Sequence, residues 1–283
     1  MDSFNLLIES NQHNPEPKNG PVYNTPEGHV VVWKILAECL PPSFEPHNYQ
    51  IDGICPAMDG EDVLATMVTG TGNTGSFILL MLVIRVISQD PTLALQGANF
   101  SKDPAIIVVC PTKALQADMG AKMSLQFGLK TLVTDSDTHS EAKKSERDLW
   151  VEACTQYTMV LMSPEELTTQ GFAQLLDQRE FSNRVCMLGV DKVHLLYWWG
   201  NAFQPAFRQI RNLRAQLPLV GGWWVPVLAA TATLHVGPTM EAISQILGLV
   251  PGQYHLIHCS NMQHDIQIIF WELQISQLFL PRA

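Results

Sequence analysis

Three short stretches carry residue types that could do chemistry together. The first follows an apolar run, Val63–Met67, which leads into Val68-Thr69-Gly70-Thr71-Gly72-Asn73-Thr74-Gly75 and then into helical periodicity. Strand, glycine-rich turn and helix are the parts of a phosphate cradle, because glycines turn backbone N–H groups inward and a helix N-terminus adds partial positive charge. Thr74 stands where a hydroxyl would ligate Mg2+, but Asn73 occupies the place where such a loop carries lysine. In the second stretch, the apolar run Val185–Val190 ends in Asp191-Lys192-Val193-His194. A carboxylate at the tip of an apolar strand is the usual outer ligand for nucleotide-bound Mg2+. A second carboxylate beside it would polarise the attacking water, and Lys192 has the opposite charge. The third stretch, Thr231-Ala232-Thr233, offers hydroxyls to the Asp191–His194 loop.

These stretches need a scaffold that brings strand ends together. Candidate strands are Val63–Met67, Ala105–Cys110, Lys130–Thr134, Met159–Met162, Val185–Val190 and Val225–Ala229. Candidate helices are Glu27–Leu40, Thr74–Ser88, Lys113–Phe127, Ser140–Cys154, Pro164–Leu176, Ala206–Ala215 and Thr239–Leu247. Nearly continuous apolar strands alternating with helices predict βαβ units, hence an α/β fold with a parallel sheet covered on both faces. Ligands of such sheets bind at the carboxyl ends of the strands. Residues 1–26 lack apolar periodicity and read as an N-terminal arm, 27–250 as one domain, and 251–283 as a link onward.

In this order the motifs resemble the first RecA-like, P-loop NTPase domain of a superfamily-two helicase, nearest the RecQ and DEAD/DEAH-box branch. The resemblance runs from about Phe44 to Phe270. It implies that Gln50, after Tyr49, reads adenine, and that Thr69, Gly70, Thr71, Gly72, Asn73, Thr74 and Gly75 line ATP phosphates. Thr74 and Asp191 would hold Mg2+, with Lys192 in the place of a catalytic glutamate beside His194. Thr231 and Thr233 would couple nucleotide state to the bound strand. Pro111, Thr112 and Lys113 resemble a motif whose backbone touches nucleic-acid phosphates, and Ser163-Pro164-Glu165-Glu166-Leu167 a second such segment. Trp199, Phe203, Gln204 and Phe207 lie where that branch has an aromatic loop that stacks on single-stranded DNA, with Gln204 in place of an arginine. Single-stranded or duplex DNA is the implied partner, and a nucleus or another intracellular compartment the implied location.

The departures from that pattern have chemical consequences. Asn73 offers hydrogen bonds but no charge, Lys192 sets an ammonium beside the metal position, and Gln204 removes a cation. Weak Mg2+–ATP binding and impaired hydrolysis are therefore expected, since single losses in such sites commonly cost several powers of ten in rate. Val250–Ala283 resembles the passage into a second RecA-like domain, which would supply an arginine finger. Asp265–Leu273 is strand-like and apolar, suited to a protein partner. Alternatives stay open at three places. The glycine loop is either a phosphate cradle or a plain tight turn. Lys192 either replaces a carboxylate without compensation or fills the vacated metal site as an internal cation. Trp198, Trp199, Phe203 and Phe207 are either a DNA platform or core aromatics. The non-catalytic alternative for the whole chain is a pseudo-helicase interaction module or a gene remnant.

The 283 residues carry 17 Lys+Arg against 27 Asp+Glu, a formal charge of −10, which argues against gripping nucleic acid by bulk charge. Hydrophobic residues at 46% exclude a wholly disordered chain. The six cysteines are dispersed without a Cys-x-x-Cys pair, as in a reduced intracellular protein. His255, His258, Cys259 and His264 crowd together, but strand alternation sets His255 and His258 on opposite faces, so no zinc is expected. The longest apolar run, Phe77–Ile87, contains Arg85 and falls well short of the roughly 20 residues needed to span a bilayer, so no membrane span is predicted.

Overall fold

Apolar runs of four to seven residues become strands here because both of their faces are covered. The computed structural model describes residues 22–67, 73–95, 98, 100–198, 206, 209–210, 212–219 and 224–259. The strands are β1 (Asp62–Thr66), β2 (Ala105–Val109), β3 (Thr131–Thr134), β4 (Met159–Met162), β5 (Val185–Asp191), β6 (Val227–Thr231) and β7 (Tyr254–His258). They form one seven-stranded sheet in the order β3-β4-β2-β5-β6-β1-β7, and every pairing is parallel. All residues of β1, β2, β4 and β6 are buried. Alternate residues serve opposite cores: Val63, Ala65, Ile106 and Val108 face one, Leu64, Ala105, Ile107 and Val109 the other. The expected α/β architecture is therefore present, with a seventh strand in the stretch read as a link.

Helices α1 (Pro26–Cys39), α2 (Asn48–Met58), α3 (Asn73–Gln89) and α4 (Lys113–Phe127) contribute to the first core. Helices α5 (Ser136–Lys144), α6 (Leu149–Thr155), α7 (Gln170–Asp177), α8 (Arg179–Ser182), α9 (Leu195–Trp198) and α10 (Pro238–Leu247) complete the described set, and most contribute to the second. The expected single helix over Ser140–Cys154 is two. Glu146 takes a left-handed backbone (φ 54°), which ends α5, and the Asp148 carboxylate caps α6 by accepting from Trp150 and Val151 N–H. The expected helix over Pro164–Leu176 is likewise a 3-10 turn, Pro164–Thr168, followed by α7 with Thr169 as its cap. β6 starts two residues later than expected because Pro226 has no N–H for the ladder. α2 was not expected at all, since Gly53 and Pro56 lower its helix propensity. Tyr23, in the stretch expected to be an arm, is fully buried, and its N–H donates to Asp59 at 2.8 Å.

α3 runs through the middle of the first core, with Phe77 to Val83 all buried. It approaches β5 so closely that a Cβ on Gly189 would meet the Phe77 ring at 2.8 Å and Val108 at 3.1 Å. At the opposite, amino edge of the sheet two buried cations tie segments together. Arg184 donates to the carbonyls of Asp103, Ala153, Cys154 and Tyr157 and pairs with the Asp103 carboxylate at 2.9 Å. Arg214, in the helical residues 212–216, pairs with Asp62 at 2.9 Å, and Asp62 also accepts from Val227 N–H at 2.9 Å. Burial pushes the Asp62 carboxyl above its ordinary range, with Arg214 opposing that rise.

Two outcomes follow from this packing. Gly189→Ala is expected to destabilise the domain by about 1–3 kcal/mol in urea unfolding, through overpacking, and Phe77→Leu is expected to recover part of that loss. Arg214→Met leaves Asp62 buried without its cation, at a cost of about 3–5 kcal/mol. A carboxyl whose folded pKa is raised stabilises the fold below its unfolded pKa and loses that contribution as pH rises through the folded value. Unfolding measured at pH 5 and pH 8 should therefore show the larger Arg214→Met penalty at pH 8.

Candidate functional site

The parallel register fixes what lies at the carboxyl edge. Thr66 pairs with Thr231 and with His258, Asp191 with Ala230, and Val109 with Val190 and Met162. Backbone bonds just beyond the strands continue the ladder: Met67 N–H to Thr231 O (2.9 Å), Val193 N–H to Ala230 O (3.2 Å) and Cys110 N–H to Met162 O (2.9 Å). The ends of β1, β6, β5 and β2 are thus level, and the loops that follow them share one rim.

Asp191 closes β5 and is 1% exposed. Its Oδ1 accepts the Lys192 backbone N–H at 2.9 Å, and its buried Oδ2 has no hydrogen-bond partner. Burial raises the Asp191 carboxyl, while the Lys192 charge and N–H pull it back. Lys192 adopts a left-handed backbone, φ 55°, which is uncommon for a residue with a long side chain. Among the described residues its ammonium makes no ion pair with Asp191, so the alternative in which Lys192 pairs with that carboxylate is not what the structure shows; the Lys192 charge acts on Asp191 through space. Two further buried oxygens near the strand ends also lack partners: Thr66 Oγ1, on the last residue of β1, and Gln116 Oε1. Gln116 lies one turn into α4 and its Nε2 donates to Cys110 O at 3.2 Å. Among the described residues these three oxygens lie near the carboxyl edge while Arg214 Nε, also unpartnered, lies at the amino edge, and each such group asks for an explanation besides packing.

His194 and Thr231 meet as expected. His194 Nδ1 lies 2.5 Å from Thr231 Oγ1, and that hydroxyl also accepts the Thr233 backbone N–H at 3.4 Å. Burial first, then the Lys192 charge, pushes the His194 imidazole below its ordinary value, toward the neutral form. Thr231 is buried and Thr233 exposed, so only the former lies inside the junction.

Gln50 is buried, and its Oε1 accepts His47 N–H at 2.9 Å, closing the N-terminus of α2. It touches the start of α3: a Cβ on Gly75 would meet Gln50 Nε2 at 2.7 Å. A side chain at position 75 would therefore have to displace the Gln50 amide. Thr74 is half-buried in the first turn of α3. Thr69, Gly70, Thr71, Gly72, Trp199, Phe203, Gln204, Phe207, the stretch 265–273 and the side chains of Asn73 and Trp198 lie outside the described residues.

The expected strand-contacting residues sit farther along the same rim. Pro111 is buried, and Thr112 caps α4 by accepting Leu115 N–H at 3.3 Å. Exposed Lys113 is occupied: its Nζ lies 2.6 Å from Asp137 Oδ2 and 2.7 Å from Ser136 Oγ. The Asp137 carboxylate holds the Lys113 ammonium above its usual range. In the second segment Glu166 is buried with its carboxylate 3.4 Å from His139 Nε2, and burial raises it. Sequence reading missed Gln116, Asp137, His139 and the Asp62–Arg214 pair. Asp137 had a signal, since Asp135-Ser136-Asp137 follows a strand end and Asp135 caps α5. Gln116 and Arg214 had none, because a polar residue inside a helix does not announce its face.

A parallel sheet with helices on both faces, a glycine-rich sequence between β1 and its helix, and an aspartate at the tip of β5 are the features of a RecA-like α/β domain. The chain belongs to the DEAD/DEAH box helicase family, whose model matches residues 47–242. It is 25% identical over 197 residues to an ATP-dependent DNA helicase RecQ of Haemophilus influenzae, covering 70% of this chain and 27% of that protein. It is 31% identical over 174 residues to the RecQ helicase of Synechocystis, covering 61% of this chain and 31% of that one. The chain thus spans under a third of the length of these relatives. Among solved structures, the DUF1998 helicase MrfA bound to DNA and AMPPNP shares the fold with TM-score 0.56 at 16% identity, covering 92% of this chain and 34% of that one. Among the described residues no helix is long and apolar enough to cross a membrane.

The His194–Thr231 contact is testable by stability. Thr231→Val keeps the volume and removes the hydroxyl, and should cost about 1–2 kcal/mol in urea unfolding, since a buried partner is left unsatisfied. Thr231→Ser keeps the hydroxyl and should cost less.

Proposed function

We propose that this domain binds an adenine nucleotide and a DNA strand along the carboxyl edge of its sheet and hydrolyses ATP poorly. The observation that carries this reading is Asp191, buried at the tip of β5 with one unpartnered oxygen and with Lys192 where a second carboxylate would polarise water. The names of its relatives, ATP-dependent DNA helicases, support the ligand classes. In this reading Gln50 faces adenine, the 69–75 loop with Asn73 takes the phosphates, and Thr231 with Thr233 links nucleotide to strand. Pro111, Thr112 and Lys113 meet strand phosphates, and Trp199, Phe203, Gln204 and Phe207 supply stacking, worth roughly 1–3 kcal/mol per base on an aromatic platform. A nuclear location belongs to the same proposal and rests on the resemblance alone.

Thr74 and Asp191 are the donors the site offers to Mg2+. The unpartnered Asp191 Oδ2 suits a cation, but the charge around it does not. An ammonium repels a divalent ion brought to the same carboxylate, and the double charge of the ion doubles that repulsion. The donor set does not fit a firmly held divalent ion. Lys192, standing where a second carboxylate would, cannot take a proton from attacking water while its ammonium is charged, so the described residues bind and orient a triphosphate better than they activate water. The second reading, a non-catalytic interaction module, is favoured by Lys113, whose charge Asp137 already neutralises.

Calorimetry of ATP with Mg2+ on the wild type and on the double variant Asn73→Lys, Lys192→Glu tests the proposal. The wild type should bind weakly and the double variant at least about tenfold more tightly, as one charge-assisted hydrogen bond is restored. The wild type should show no ATP turnover above background, with or without single-stranded DNA. Robust turnover by the wild type would refute the claim of impaired hydrolysis, and silence of both proteins toward ATP would refute the nucleotide site.

A further inference from the structure

The rim that ends β5 sets Asp191 and Lys192 side by side, and the proposed function leaves open what the ammonium does there. Lys192 is half-buried, its left-handed backbone sets it directly beyond Asp191, and its N–H already holds Asp191 Oδ1. Among the described residues Asp191 Oδ2 is buried and lacks a donor, and the Lys192 ammonium forms no ion pair with it in the absence of a ligand. An ammonium carries three donors and no acceptor. Its charge reaches both neighbours, lowering the Asp191 carboxyl against burial and lowering the His194 imidazole. A strained non-glycine backbone at a functional rim persists only where the surroundings hold it there.

A cation between a carboxylate and a phosphate offsets their mutual repulsion. Elsewhere a divalent ion fills that role; here a permanent cation is built into the chain beside the carboxylate. We infer that Lys192 takes the place of the metal, its ammonium bridging Asp191 Oδ2 and a phosphate oxygen of a nucleoside di- or triphosphate, so that phosphate binding at this edge is independent of divalent ions. The inference rests on the nucleotide reading above and adds to it the ionic form of the ligand. A divalent ion brought in with the nucleotide competes with the ammonium for one carboxylate oxygen.

The test is a titration of the 283-residue protein with a fluorescent adenine nucleotide, once in excess Mg2+ and once in EDTA at matched ionic strength. The wild type should bind at least as tightly in EDTA as in Mg2+. Lys192→Gln should lose about tenfold in affinity in EDTA, as one charge-assisted hydrogen bond goes. Lys192→Asn, which accepts a left-handed backbone more readily, should show the same loss if Lys192→Gln folds poorly. Lys192→Glu should bind only with Mg2+. Wild-type binding that requires Mg2+ overturns the inference and leaves the nucleotide site standing. So does unchanged affinity of both Lys192 variants in EDTA. Wild-type protein with an intact melting transition that binds in neither buffer overturns the inference and the nucleotide reading together.

Discussion

Burial on both faces governs this molecule. The central strands β2, β5, β6 and β1 lie between two apolar cores, so almost none of their side chains can be polar along their length. Chemistry is confined to the ends, and the parallel ladder keeps those ends level. Every carboxyl terminus then falls on one rim, where Thr66, Cys110, Asp191 and Thr231 come within reach of the loops that follow. The close seat of Phe77 against Gly189 is part of the same constraint. It holds the helix after the glycine turn against the strand that ends in Asp191, fixing the two halves of the candidate site relative to one another.

Much of this was legible before any coordinates. Continuous β-branched and aliphatic runs such as Ile106-Ile107-Val108-Val109 have few other uses, and Met159–Met162 and Lys113–Phe127 have the expected bounds. The position of Asp191 at the end of β5 was legible because an acid that closes an apolar run marks the end of the strand, while Gly70 and Gly72 lie outside the described residues. What could not be read were relationships across the sheet. Asp62 and Arg214 are 152 positions apart, and nothing local tells either that the other is present. Lys113 was read only as part of a motif whose backbone touches phosphates, and the partner of its side chain could not be read; the neighbouring α5, whose cap at Asp135 was not seen, brings Asp137 onto it. Helix breaks at Glu146 and Thr169 were missed because left-handed residues and side-chain caps interrupt a pattern without changing its apolar spacing.

The electrostatics of the rim run in one direction. Asp191, Asp135, Asp137, Glu165 and Glu166 are carried there with Lys113 and Lys192 as the cations, and Lys113 is already paired. In a chain of net charge −10 such a surface does not attract a polyanion from a distance. Under the proposed function, recognition of a phosphate at this edge would rest on short-range groups such as backbone N–H and hydroxyls rather than on long-range attraction.

The amino edge of the sheet carries a different lesson. Arg184 binds carbonyls contributed by residues 103, 153, 154 and 157, and its own carbonyl accepts Ala105 N–H at 2.8 Å. One guanidinium therefore joins the starts of β2 and β5 to the turn that leads into β4. Strands fastened in this way cannot peel off singly. The half of the sheet that holds β2, β4 and β5 opens as a block or stays shut, so local breathing is left to the rim opposite, where a ligand would have to enter.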